Sequence, residues 1–424
     1  MRKIWSKVVS AILLCITLFC LAGCSGCKIG AENRKKLAAI PKEGSYAFLQ
    51  YSGVLTKGDE HTVIKSEVLK AIKKDGKKIY NEDDCGFAYV LSEEKDFMWF
   101  MAEYSHKSDR NDYQHGQYKF AIGRVTLPNL DIKIEYYLPT QTYEGFGLIG
   151  KIGEYFLCRG EEDLLAIHLT TFENKTIDVR EKEYHSLHEK ELVLRRDLGE
   201  KKEYRIYDQT LTEYTISFDK GFNANWYWYA NVVGDYIFFY SSADKKRTCL
   251  CANYKTGERF AQEESYAMYE SYFPPEEETE QEPHFIYKGK GYVCENERYY
   301  VERPAKDEDG NDIIQKIYYN KLVFEDLETG EKREFIPLEM QGGCASVMQQ
   351  IFDIFGNNLH CSPFVQEGEL FLVMVNDESF FGIATSQTSP RIVFKYDEEK
   401  ADLIYVGYAM YTYSAIEHIY TIEK

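Results

Sequence analysis

The residues best equipped for chemistry in this 424-residue chain are few, and their spacings are wrong for most catalytic motifs. His185-Ser186-Leu187-His188-Glu189 brings two histidines and a glutamate together. A zinc-hydrolase helix needs histidines four apart on one face, so this run does not supply one. His360 and Cys361 are adjacent, and on a strand they would point to opposite faces. Both sets read as structural or surface histidines. Asp307-Glu308-Asp309-Gly310-Asn311-Asp312 looks like a calcium loop, but placing Gly310 sixth puts Ala305 first and Lys316 twelfth, where carboxylates are required. Lying between strand patterns at Tyr299–Glu302 and Ile313–Tyr319, it reads as a hairpin turn. Gly145-Phe146-Gly147-Leu148-Ile149-Gly150 has dinucleotide spacing, yet a strand pattern over Lys151–Cys158 follows where a helix would have to hold the pyrophosphate. A glycine-rich turn is the better reading. There is no Gly-x-Ser-x-Gly elbow. No metal or cofactor is expected. Carboxylate pairs for glycoside cleavage remain open, because 69 acidic residues offer many combinations.

One stretch could bind rather than react. In Asn223-Ala224-Asn225-Trp226-Tyr227-Trp228-Tyr229, a strand would place Trp226 and Trp228 on one side and the two tyrosines on the other. An aromatic face flanked by Asn223 and Asn225 could stack on sugar rings or hold a peptide. The same aromatic density suits core packing between sheets.

The elements that must position these residues are strands. From Ser45 onward, period-two alternation dominates short runs rich in Tyr, Phe, Val and Ile. Examples are Ala47–Tyr51, Glu154–Cys158, Asp235–Tyr240 and Glu369–Met374. Helical patterns are confined to Ser66–Lys74 and Ala345–Phe355. A looser repeat overlies the strands. Leu250–Gly257 is an apolar strand ending in Asn-Tyr-Lys-Thr-Gly, Val323–Gly330 ends in Asp-Leu-Glu-Thr-Gly, and Val393–Lys400 is a weaker copy. Ile167–Lys175 and Arg205–Thr212 are weaker still, and turns near Asn129 and Gly76 complete the series. Intervals of roughly 54, 45, 37, 45, 73 and 70 residues mean stacked supersecondary units.

A strand, a Thr-Gly type turn and a second strand resemble the outer hairpin of a β-propeller blade. Seven anchors imply an all-β propeller of about seven blades, with six or eight also compatible with the spacing. The alternative is two β-sandwich domains. Trp-Asp dipeptides and the sialidase box are absent, so neither of those propeller families is matched. The two long intervals would hold insertions, one containing the charged, proline-bounded segment Pro274–Pro283.

At the N-terminus, Arg2, Lys3 and Lys7 precede an apolar run from Val8 to Ala22, the layout of a secretory signal. The run is 15 residues, short of the ~20 that span a bilayer. It ends in Leu21-Ala22-Gly23-Cys24, which resembles the lipobox of bacterial lipoproteins. That resemblance implies a signal peptide over 1–23, a diacylglycerol on Cys24, a tether over 24–43 and an ectodomain over 44–424. Lipid would then be the membrane attachment, at the outer face of the bacterial cytoplasmic membrane.

Composition narrows the partners. The whole chain carries a net charge of −18, and loss of residues 1–23 would leave 48 basic against 69 acidic side chains. So acidic a chain repels phosphates, which argues against nucleic acid and anionic headgroups. Beyond Cys24, eight cysteines remain: Cys27, Cys85, Cys158, Cys249, Cys251, Cys294, Cys344 and Cys361. Their irregular spacing inside apolar strands favours buried free thiols over disulfides. Cys249 and Cys251 would share one strand face. The functional expectation is a lipid-anchored binding or scaffolding module for a protein or glycan ligand. The alternative is an extracellular polysaccharide hydrolase or lyase using carboxylates in a propeller channel.

Overall fold

Alternation resolves into strands throughout the computed structural model, which describes residues 35–422 except 80, 84, 110–111, 139–146, 160–162, 181–182, 189, 199–200, 220–229, 242–247, 274–281, 308–309, 337–343, 356–358, 377–390, 401 and 410–414. Among the described residues the strands form seven antiparallel sheets, taken in chain order as blades 1 to 7. Blade 1 contains Tyr46–Gln50, Val54–Lys57 and Glu60–Val63. Blades 2 to 7 cover 87–137, 147–178, 183–219, 230–253, 285–335 and 359–409. The last strand, Ile416–Thr421, pairs with Tyr46–Gln50, so blade 1 is built from both ends of the chain. Seven successive meanders closed in this way have the topology of a seven-bladed β-propeller. Among the described residues two β-sandwich domains are not formed, since consecutive strands stay in one small sheet rather than alternating between two large ones.

The chain divides into two compact units, one of residues 68–279 and one of residues up to 67 and from 280 onward. Within the first, neighbouring blades pack face to face in chain order. Met101, Phe120 and Ile122 of blade 2 meet Phe156, Cys158 and Ile167 of blade 3. Leu157, Leu164 and Ala166 meet Leu192 and Leu194 of blade 4, and Tyr204 and Ile206 meet Ile237 and Phe239 of blade 5. Within the second unit, Phe324 and Tyr319 of blade 6 share a core with Leu372 and Phe394 of blade 7. Phe371 and Val393 of blade 7 pack on Phe48 and Ile419 of blade 1. Each Val, Leu, Ile, Phe or Met among them contributes roughly 1.5–3 kcal/mol by leaving water.

The repeated turn is one structure used three times. Asn253 Oδ1 accepts from the Lys255 and Thr256 amides, both at 3.0 Å, and the Gly257 amide donates to Asn253 O at 2.8 Å. Asp326 does the same to Glu328, Thr329 and Gly330. His168 repeats it with its ring, Nδ1 accepting from Thr170 and Thr171 at 3.1 and 3.2 Å. Gly257 and Gly330 take φ of 79° and 68°, where a side chain is disfavoured. Phe172 holds the same place at φ 58°, and its ring stacks on Tyr136 at 4.9 Å.

The turn expected near Gly76 is a correction. Gly76 ends the helix Ile64–Lys74, where its amide bonds Lys73 O and the Lys77 amide bonds Ile72 O, a helix-stop pairing. The hairpin of blade 1 lies instead between Val54–Lys57 and Glu60–Val63. The helix expected over Ala345–Phe355 is present as Cys344–Phe355. A third helix, Gln262–Tyr272, had no counterpart in the sequence reading. It covers the edge of blade 5, which among the described residues is the one sheet with three strands. The Cys251 amide donates to Ser265 Oγ at 2.9 Å, and Cys251 O accepts from the Phe260 amide, so the edge that a fourth strand would pair is satisfied.

Candidate functional site

The stretch with Asn223, Asn225, Trp226 and Trp228 lies outside the described residues, as does Cys24. The other motifs fall where a structural role puts them. His185 lies in the strand Glu183–Leu187, and burial lowers the pKa of both His185 and His188, which favours the neutral ring. His360 is exposed and Cys361 buried, on opposite faces as expected. The strands Lys290–Lys306 and Asp312–Asp326 pair as a hairpin around Asp307, whose Oδ1 accepts from the Asn311 amide at 2.8 Å. Gly147–Gly150 belong to the strand Gly147–Ile152, which leads into another strand rather than a helix. Among the described residues no three His, Cys, Asp or Glu side chains gather as metal ligands.

Six described cysteines are buried thiols outside any disulfide: Cys85, Cys158, Cys249, Cys251, Cys294 and Cys361. Desolvation pushes the thiols of Cys158, Cys249, Cys251 and Cys294 up to about 12, which removes their nucleophilicity. Cys249 and Cys251 pack together with Phe238, on the shared face expected.

The most site-like feature is a cleft in the unit that holds blades 6, 7 and 1. Its inner chamber, of about 280 Å³, is walled by Phe285, Tyr287, Tyr292, Phe324, Leu370 and Tyr396. Phe285 stacks on Tyr292 at 5.2 Å and meets Phe324 edge-on at 5.3 Å. Charged groups ring the aromatic wall. Lys290 Nζ lies 3.0 Å from Asp326 Oδ2, and Arg333 Nη1 donates to Tyr396 Oη at 2.7 Å. Lys288 of blade 6 pairs with Glu398 of blade 7. A second chamber of about 530 Å³ shares Tyr287, Lys288, Tyr396 and Glu398 and extends past Glu369, Lys395 and Asp397 to Glu43 and Tyr46.

Two hairpin turns bring these groups forward. Lys288 and Gly289 form a two-residue turn with φ of 50° and 78°, and Glu367 and Gly368 form another at 52° and 76°. Asn-Gly is the usual choice there, so Lys288 and Glu367 hold costly backbone positions. Glu398 follows Asp397 in the looser copy of the repeated turn at Val393–Lys400. Asp326 and Glu398 therefore come from the repeated turns, whereas Lys288 and Glu367 come from hairpin turns that the repeat does not mark.

The rim groups favour their ionised forms. Hydrogen bonding to Lys288 lowers the Glu398 pKa, and the same contact raises that of Lys288. Lys290 and then the Thr329 amide lower Asp326, while Asp326 raises Lys290. A general acid or base needs a pKa near working pH. These groups are driven away from it, which suits recognition by charge and hydrogen bonding. Among the described carboxylates, Glu191 in the other unit is the one raised by desolvation.

That other unit contains a buried ionic clasp. Arg205 donates to both oxygens of Glu183, at 2.9 and 2.6 Å, and to Tyr207 Oη at 2.9 Å. A further bond reaches Asp178 O of blade 3. The Arg205 and Glu183 side chains are 3% and 0% exposed. The clasp fixes blade 4 to blade 3 and leaves no open face for a ligand.

No protein-family profile matches the chain, and no curated protein matches it. Solved structures resemble it at low identity. A quinonprotein alcohol dehydrogenase-like protein from Bacteroides thetaiotaomicron is 10% identical, over 89% of this chain and 78% of that one, with a TM-score of 0.28. The β-propeller domain of the trilobed protease from Pyrococcus furiosus is 12% identical over 76% and 83%, at 0.27. Apo AztD from Citrobacter koseri is 10% identical over 87% and 97%, at 0.29.

Proposed function

We propose that this protein is an extracytoplasmic lipoprotein, held by lipid on Cys24 at the outer face of the bacterial cytoplasmic membrane, that binds a protein or glycan ligand. The ectodomain over 44–424 is the binding or scaffolding module. The observation that supports this best is the cleft of blades 6, 7 and 1, where aromatic walls meet charges held in their ionised forms. A polysaccharide hydrolase would need a carboxylic acid kept protonated beside a carboxylate. Asp326 and Glu398 are shifted the other way, so binding is the better reading of this cleft.

The test uses purified residues 28–424 on arrays of peptides and of cell-wall oligosaccharides. One ligand class should bind the wild type and bind Phe285→Ala about tenfold more weakly, a loss of ~1.4 kcal/mol. Absence of binding on both arrays, or binding indifferent to Phe285→Ala, would remove the cleft from consideration.

A further inference from the structure

Resting on the reading of this cleft as a binding site, we infer that its ligand is an extended cationic peptide segment. A bulky apolar side chain of the peptide enters the inner chamber. A Lys or Arg two positions away enters the outer one. The Lys288–Glu398 pair is a displaceable strap between them.

The shape of the cleft comes first. The two chambers, about 280 and 530 Å³, share four residues and so form one trough. Ligand pockets run from ~300 to 1,000 Å³. The inner chamber falls just below that range, and the joined trough falls well within it. An extended peptide points residues i and i+2 to the same side. It can therefore fill two adjoining chambers with two side chains.

The walls differ in character. The inner chamber is lined by Phe285, Tyr292, Phe324 and Leu370, with Lys290 and Arg333 engaged by Asp326 and Tyr396. The outer chamber gathers Glu43, Glu369, Asp397, Glu398 and Glu399 against Lys288 and Lys395. Lys395 is already paired with Glu369. An apolar group followed by a cation matches both walls. The acidic chain as a whole draws cations toward it.

The strap can give way. Lys288 and Glu398 are 55% and 49% exposed, and an ion pair so open to water is weakly held. A ligand ammonium can replace that of Lys288 on Glu398 without leaving a charge buried and unpaired. The strained backbone of Lys288, at φ 50°, places its ammonium over the Tyr287 ring at the boundary of the two chambers.

The experiment measures fluorescence anisotropy of fluorescein-labelled Gly-Gly-Phe-Ser-Lys-Gly-Gly on residues 28–424. A second peptide carries Glu in place of the Lys, and chitin hexasaccharide serves as the glycan probe. The Lys peptide should bind about tenfold more tightly than the Glu peptide, and more weakly as NaCl rises from ~50 to ~500 mM. The double variant Glu369→Gln/Glu399→Gln, with an unchanged thermal melt, should lose about tenfold in affinity for the Lys peptide. Lys288→Ala should tighten binding by about threefold, by freeing Glu398. Equal affinity for the two peptides would overturn the inference, and a Lys288→Ala variant that fails to tighten would overturn the strap. Binding of chitin hexasaccharide alone, abolished by Phe285→Ala, would overturn the peptide and leave the cleft standing. Binding of none of the three probes would overturn both.

Discussion

The side-chain amide of Asn296 in blade 6 exchanges two hydrogen bonds with the backbone of Cys361 in blade 7. Nδ2 donates to Cys361 O at 3.0 Å, and Oδ1 accepts from the Cys361 amide at 2.9 Å. The amide thus imitates one rung of a β-ladder between two sheets. Gln366 repeats the device one blade on, with Oε1 accepting from the Ile419 amide at 2.8 Å and Nε2 donating to Ile419 O.

Asn296→Ala leaves both polar groups of Cys361 without their partner. Stability should fall by about 1–3 kcal/mol, the cost of an unmet buried hydrogen bond. Urea unfolding should show a lower midpoint with an unchanged slope. Asn296→Asp should not restore the stability, because its carboxylate can accept from the Cys361 amide but turns a second acceptor oxygen against Cys361 O.

Glu183→Ala strands the Arg205 guanidinium in a buried site, and should cost about 3–5 kcal/mol. The pH dependence follows from the same pair. Burial alone would raise the Glu183 carboxyl, but hydrogen bonds from Arg205 and the Arg180 amide outweigh it and hold it low. The folded pKa therefore lies below the unfolded value of ~4.3. The stabilisation is present above that value and is lost as pH falls through the folded pKa. The wild type should show this acid loss, and Glu183→Ala should show less of it in thermal melts taken from neutral pH downward.

Gly257→Ala should destabilise by about 1–2 kcal/mol, since its φ of 79° is disfavoured for any side chain. A Cβ there meets nothing within 4 Å, so the loss is one of backbone alone. Phe172→Gly should also destabilise, despite relieving the same backbone, because it removes the ring stacked on Tyr136. Calorimetry of the two variants separates backbone strain from packing.

Much of this architecture was legible in the sequence. Alternation marked the strands, and Asn253–Gly257 and Asp326–Gly330 marked the turns, because strand pairing and turn geometry are local. Gly76 misled, since a glycine that stops a helix looks like one that turns a hairpin. The helix Gln262–Tyr272 was missed because its buried centre is Ser265, and its aromatics make no continuous stripe. The cleft was hidden for a different reason. Phe285, Leu370 and Glu43 come from separate parts of the chain, and no spacing along it announces that they meet.

Iodoacetamide should leave Cys85, Cys158, Cys249, Cys251, Cys294 and Cys361 unmodified in the folded protein and alkylate all six in guanidinium, as read by mass spectrometry. Rapid native labelling of Cys158 would contradict its burial.

Cys24→Ser should release the protein from cell membranes or leave an unprocessed precursor, as read by fractionation and intact mass. A mature wild-type chain that starts elsewhere and carries no lipid would exclude the lipid anchor.

Blade 1 has a consequence for how the chain comes to be folded at all. Its pairing of Phe48 with Ile419 joins positions roughly 370 residues apart. Closing so long a loop costs about 5 kcal/mol in chain entropy, yet a further doubling would add only about 0.6. Distance therefore bears more on speed than on final stability. Until the last strand arrives, Tyr46–Gln50 offers one open edge with Ala47, Phe48 and Leu49 upon it, a template to which a second nascent chain could anneal. The six residues Ile416–Thr421, synthesised after every other described strand, are what cover that edge.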